Sequence, residues 1–104
     1  MKLSIEKKPG CIQTTLDILG DKWTALILRD VSDQPKTFSE LEISLTGISP
    51  RTLSQRLKQL ETDDVLERCK YCAHPPRYRY QLTKKGRELR KILESMAEWG
   101  GKYC

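Results

Sequence analysis

Four thiols and one imidazole are the first groups in this 104-residue chain that could do chemistry: Cys11, Cys69, Cys72, Cys104 and His74. Cys69-Lys-Tyr-Cys72 has the spacing of a dithiol motif, and Cys72-Ala-His74 adds a third atom able to bind metal. The surrounding residues argue against either use. Read as an extended strand, the segment holds residues three apart roughly 10 Å from each other at ~3.3 Å per residue, beyond the ~7 Å reach of a disulfide between unmoved backbones. Nor does it open a helix, the usual arrangement for a reactive thiol of this type. A structural zinc site wants four ligands, and a second CxxC is missing, so reduced thiols with no metal and no cofactor are expected. Cys11 differs, because Lys7, Lys8 and a helix start lie near it, a setting that stabilises thiolate. It is the candidate for redox sensing; the competing account is a small buried hydrophobe.

The second group is polar and cationic. From Ser49 to Thr62, Leu53, Leu57 and Leu60 fall within roughly 60° of one another at 100° per residue, the buried stripe of a helix. Arg51, Gln55, Lys58, Gln59 and Thr62 occupy the opposite half, with Thr52 and Ser54 at its margins and no carboxylate among them. Such a face suits the major groove of DNA, where Arg and Gln form bidentate bonds to base edges while Lys, Ser and Thr hold phosphates. A plain solvated face has the same composition, so the neighbouring elements must decide. Catalysis has no support: His74 sits beside two prolines without a nucleophile partner, and no Gly-rich loop cradles phosphate. No catalytic residue is expected.

The elements that position these residues follow from caps and periodicity. Ser49 is a natural N-cap and Pro50 suits the first helical position, giving a helix to about Thr62. Before it, Cys11, Ile12, Leu16 and Leu19 read as a short amphipathic helix closed by Gly20, and Asp21 caps a helix carrying Trp23, Leu26, Ile27 and Val31 as far as Ser32. Lys36 or Thr37 begins a third helix with Phe38, Leu41 and Leu45, and Thr46-Gly47-Ile48 turns into the polar helix, which makes a helix-turn-helix candidate; the alternative is an ordinary helical hairpin. After Asp64 the period changes. Val65 to Tyr71 and Arg77 to Leu82 read as a hairpin around the loop 72–76, a wing whose His74 and Arg77 can reach flanking phosphates. Thr83 caps a last helix from Lys84 to about Gly100, where Leu89, Ile92, Leu93, Met96 and Trp99 span an apolar arc of roughly 100° or more. That arc is broad enough to cover the domain's own core and a partner's matching helix, which predicts a two-fold dimer; the competing account is that Trp99 lies on its own core.

These pieces predict a mainly α protein with a small β-hairpin: a loose arm over residues 1–10, then a single winged helix-turn-helix over 11–104, dimeric through its terminal helices. The net charge of +5 is compatible with a polyanionic partner. The segment Met1 to Gly10 lacks the apolar core of a signal peptide and the longest aliphatic run is Ala25 to Leu28, so a cytoplasmic protein with no membrane partner is expected.

The order of motifs resembles the HxlR-type winged helix-turn-helix transcriptional regulators of bacteria. The similar pieces are residues 16–23 (LDILGDKW), 38–41 (FSEL), 47–53 (GISPRTL), 56–61 (RLKQLE) and 75–86 (PPRYRYQLTKKG), with Trp99 near the end. The resemblance implies a homodimer on a pseudo-palindromic operator in double-stranded DNA, with electrophiles or oxidants as signals and a sensing cysteine near the first helix, the position of Cys11. The chain departs from the pattern at Ile12, where Pro is common, at Asp21, where Gly precedes Lys-Trp, and at Asp64, where Gly is usual. On this reading Lys36, Thr37, Ser49, Arg51, Thr52, Gln55, Lys58, Gln59, His74 and Arg77 face DNA, with Arg51, Thr52 and Gln55 on bases and Ser49, Lys58 and Arg77 on phosphate. Ile12, Leu16, Leu89, Ile92, Leu93, Met96 and Trp99 form the dimer contact. The alternatives are a winged helix that binds protein and a thiol-redox protein using Cys69 and Cys72.

Overall fold

The computed structural model describes residues 11–104; the arm expected over residues 1–10 and the side chain of Cys11 lie outside the described residues. Five helices and one hairpin follow in the order α1 (Cys11–Leu19), α2 (Lys22–Asp33), α3 (Phe38–Ser44), α4 (Pro50–Thr62), β1 (Leu66–Ala73), β2 (Pro76–Leu82) and α5 (Lys84–Tyr103).

Side-chain caps set four of the helix starts, because the first backbone N–H groups of a helix have no partner within it. Asp21 accepts from the Thr24 N–H, Ser49 from Thr52 and Thr83 from Gly86. At α3 it is Thr37 that caps. Its hydroxyl accepts from Glu40 N–H while the Glu40 carboxylate accepts from Thr37 N–H, a reciprocal pair that also holds the Glu40 carboxyl below its ordinary range. The turn from α3 to α4 passes through Gly47 at φ 95°, and the turn from α4 to β1 through Asp64 at φ 59°, a left-handed conformation at the position where Gly is usual in the family pattern.

The core is made where α2 crosses the other elements. Ile27, Leu28 and Val31 of α2 meet Leu41 and Leu45 from the α3 region, Leu53, Leu57 and Leu60 of α4, and Val65, Leu66 and Leu82 at the base of the hairpin. Each such Leu, Ile or Val contributes about 1.5–3 kcal/mol by leaving water. Thr83 closes the hairpin base, its hydroxyl donating to the Asp64 and Val65 carbonyls at 2.6 and 3.2 Å. Gly86 then brings α5 so close that an added methyl group would overlap the Val65 carbonyl oxygen and press on Leu82.

The hairpin differs in detail from the expected one. Pairing runs from Leu66 with Leu82 out to Ala73 with Pro76, leaving only His74 and Pro75 in the turn. Tyr71 is an extra residue, a bulge between the pairs Lys70–Tyr78 and Cys72–Arg77. A further antiparallel bridge joins Lys36 to Tyr80, with N···O distances of 3.0 and 2.7 Å. The linker before α3 is therefore a third, minimal strand on the β2 edge.

The terminal helices sort their apolar residues in two directions. Ile18, Leu19, Leu89 and Leu93 pack against the core. Ile12, Leu16, Ile92, Met96 and Trp99 face solvent, with Leu16 52% and Trp99 67% exposed. In α1 the buried side is therefore that of Ile18 and Leu19, and the predicted stripe residues Ile12 and Leu16 lie on the open side.

Candidate nucleic-acid interface

Helix α4 presents its polar half as the sequence predicts. Ser49, Arg51, Ser54, Gln55, Lys58, Gln59 and Thr62 are exposed, while Leu53, Leu57 and Leu60 are fully buried beneath them. Three of these side chains are partly committed within the protein, Thr62 among them through a hydroxyl that donates to the Lys58 carbonyl at 3.0 Å. Ser49 Oγ accepts from Thr52 N–H at 3.0 Å and donates to Thr52 Oγ1 at 2.9 Å, leaving Thr52 half-buried. The Gln59 carboxamide donates to both Asp63 carboxylate oxygens, at 3.2 and 3.3 Å. Arg51, Gln55 and Lys58 form the outermost line of the exposed face.

Arg56 stands at the margin and turns inward. Its Nε and Nη2 donate to the two Asp21 carboxylate oxygens at 2.9 and 3.3 Å, and the same carboxylate caps α2 through Thr24 N–H and Thr24 Oγ1. Pairing with the Arg56 guanidinium holds the Asp21 carboxyl below its ordinary value of 3.8, against the smaller opposing effect of burial. One carboxylate thus fixes the start of α2 to the middle of α4. A contact between residues 35 apart leaves no periodic signal, so nothing in the sequence marks this pair.

The hairpin has two chemically different faces. Leu66, Arg68 and Lys70 pair with Leu82, Tyr80 and Tyr78 on the face turned to α4, because cross-strand partners share a face. Arg68 donates to Glu61 of α4 at 3.2 Å, and Arg68 and Lys70 lie over the Tyr78 ring at 5.2 and 5.9 Å. Together with Ser54, Lys58, Glu61 and Thr62, Arg68 and Tyr80 line a groove beside the polar face of α4. Burial, with Glu61 nearby, pushes the Tyr80 phenol above its ordinary 10.0. Arg68 and Lys70 were not among the predicted contact residues; the signal that locates them is their even spacing from the buried Leu66. The opposite face carries Glu67, Cys69, Cys72, Arg77 and Arg79, with the Arg79 guanidinium 4.0 Å from the Tyr71 ring centre.

The remaining predicted positions fall around this surface. His74 and Arg77 are exposed at the hairpin tip. Lys36 is half-buried with its backbone in the bridge to Tyr80, and the Thr37 hydroxyl is occupied in capping α3. On the terminal helices, Ile12, Leu16, Ile92, Met96 and Trp99 stay open, and the Trp99 ring packs against Tyr103 with centres 5.1 Å apart.

A helix-turn-helix whose second helix is polar outside and whose chain continues into a hairpin defines a winged helix domain. The chain belongs to the HxlR-like helix-turn-helix family, which it matches over residues 18–104. It is 40% identical over 95 residues to the HTH-type transcriptional regulator YdeP of Bacillus subtilis (strain 168), an alignment covering 90% of this chain and 74% of the relative. Among solved structures, the redox regulator HypR in its oxidized form superposes with a TM-score of 0.82 at 34% identity, covering 89% of this chain and 96% of that one. The reduced form of the transcriptional regulator YodB from B. subtilis gives 0.78 at 33% identity, covering 88% and 90%. No helix among the described residues is long and apolar enough to cross a membrane.

Proposed function

We propose that this chain is a transcriptional regulator that binds double-stranded DNA sequence-specifically as a homodimer. The observation that carries the reading is the exposed, carboxylate-free face of α4, in the second helix of a helix-turn-helix whose family relatives are named as transcriptional regulators. In this reading α4 enters the major groove. Arg51 and Gln55 contact base edges, with Thr52 beside them, and Ser49 and Lys58 hold phosphates together with the wing's Arg77. Gln59, His74, Lys36 and Thr37 border the contact. Lys70 adds positive charge on the flank that faces α4, beside Arg68, which is paired with Glu61. The two copies meet through Ile12, Leu16, Ile92, Met96 and Trp99, the apolar residues left open on α1 and α5, with Leu89 and Leu93 as the inner edge of that contact.

We also propose that DNA binding responds to oxidants or electrophiles through Cys11. Support comes from the position of Cys11 at the start of the first helix and from a similar solved structure named as a redox regulator, HypR. The test of both parts is fluorescence anisotropy on DNA from the protein's own upstream region and on a scrambled control, with dithiothreitol and then with diamide. Expected are tighter binding to the native site, a steep salt dependence of about −0.9 in logarithmic slope per phosphate contacted, and release under diamide. Equal weak binding to the native site, the scramble and a panel of genomic fragments would overturn the regulator. An unaltered diamide response in Cys11→Ser would remove that thiol from the account.

A further inference from the structure

The bulge at Tyr71 changes what Cys69 and Cys72 can do together. In a regular strand, residues three apart point to opposite faces. Here Cys69 pairs with Arg79 and Cys72 with Arg77, and those two arginines stand two apart on β2, on one face. Their partners share it. The bulge absorbs Tyr71, so the two cysteines take adjacent places along one side of the ribbon. Both are free thiols and half-buried, and the Cys72 Sγ makes a weak contact of 3.8 Å to the His74 carbonyl.

Two register steps correspond to roughly 6.6 Å at ~3.3 Å per residue, somewhat more on the bulged strand. On the bulged strand that spacing sits at or past the wide end of what a disulfide spans, whose Cα atoms are usually no more than about 6.8 Å apart. It suits a bridging ion, because two metal–sulfur bonds of about 2.3 Å span about 4.6 Å between sulfurs and the thiols can swing to meet it. Among the described residues no group of three or more His, Cys, Asp or Glu could hold a metal, so a four-ligand zinc site is not what these atoms make. Two sulfurs without a third donor favour a soft ion that accepts two-coordinate, near-linear ligation.

We propose that Cys69 and Cys72 form a two-thiol site for a soft monovalent ion of the Cu(I) class on the outer face of the wing. Binding replaces two S–H bonds with two metal–sulfur bonds and releases two protons to solvent; nothing is oxidised or reduced. The site passes from neutral to a charge of −1, beside Arg77 and Arg79. Loading therefore cancels part of the positive charge that the wing offers to DNA. Only this last consequence rests on the reading of the chain as a DNA-binding regulator; the site itself does not.

The test uses the full chain, reduced and kept anaerobic, titrated with Cu(I) against a competing bathocuproine chelator. One ion per chain is expected, retained in the double variant Cys11→Ser/Cys104→Ser and weakened about tenfold or more in Cys69→Ser or Cys72→Ser, at least the loss typical of an altered ligand shell. In the unsubstituted chain, which removes any question of folding, Cu(I) is expected to block iodoacetamide alkylation of Cys69 and Cys72 while Cys104 stays reactive. Equal alkylation of the wing thiols with and without Cu(I) would overturn the site. DNA affinity of the loaded protein is expected to fall by up to about fivefold, the worth of one exposed ion pair. An unchanged DNA affinity with intact protection would refute the regulatory consequence while leaving the metal site standing.

Discussion

Asp21 shows how much one side chain can carry. Its carboxylate caps α2 and receives a two-pronged contact from Arg56 of α4. Because its folded pKa lies below the ordinary 3.8, the pair stabilises the fold fully above that value and loses its contribution as pH falls through the lower, folded value. Urea denaturation from pH 6 down to pH 2.5 is expected to lose stability in that acid window, and Asp21→Asn, which still caps, to flatten that loss. Both side chains are about a third exposed, so the difference should be about 1 kcal/mol or less. On the outer face of α4, Arg51→Ala should cost about 1–3 kcal/mol on the native operator and relax discrimination, whereas Lys58→Ala should weaken all DNA alike and reduce the salt slope by about one. Equal losses on native and scrambled DNA for Arg51→Ala would contradict its placement at a base. These two residues were legible in the sequence because a helical period and the lack of carboxylates mark one face. The Asp21–Arg56 pair was not legible, since half of Asp21's role, the cap, is local and the other half is made by tertiary packing.

Among the elements, helix starts were the clearest in the sequence. Asp21, Ser49 and Thr83 cap as predicted, because a capping side chain and the N–H it satisfies are three residues apart and need nothing distant. The wing was legible as a hairpin but not in its register: an alternating pattern does not announce an inserted residue, and the bulge at Tyr71 decides which face each thiol takes. Two backbone positions give direct tests. Asp64 holds φ 59°, a conformation that glycine adopts freely, and its hydrogen bonds to the fold are made by backbone groups, the N–H donating to the Glu61 carbonyl and the carbonyl accepting from Thr83. Asp64→Gly should therefore preserve the fold and raise stability by about 0.5–1 kcal/mol in urea denaturation, given that the left-handed conformation costs other residues about 1–2 kcal/mol. Gly86 is the opposite case. A methyl group there meets the Val65 carbonyl, which belongs to the hairpin base and cannot swing aside, so Gly86→Ala should destabilise by about 1–3 kcal/mol or more in the same assay. A neutral result would mean that α5 can shift on the hairpin.

At the scale of the whole molecule, the unequal sorting of α5 matters most. Its 20 residues place Leu89 and Leu93 on the core but leave Ile92, Met96 and Trp99 open, continuous in character with Ile12 and Leu16 of α1. The sequence displayed a single broad arc; only packing divides it, because the domain's core is filled before the helix ends. Trp99→Glu should convert a dimer to monomers in sedimentation velocity and weaken operator binding, while its circular dichroism stays that of the parent; a dimer that survives would place the contact elsewhere. A last consequence follows from the short bridge between Lys36 and Tyr80. It stitches the segment that launches α3 to the strand that carries Arg77 and Arg79, so helix-turn-helix and hairpin form one rigid gauge. Such a gauge measures distance as well as chemistry. An operator whose groove width is altered between the bases under α4 and the phosphates under the hairpin should be rejected even when every contacted base is kept.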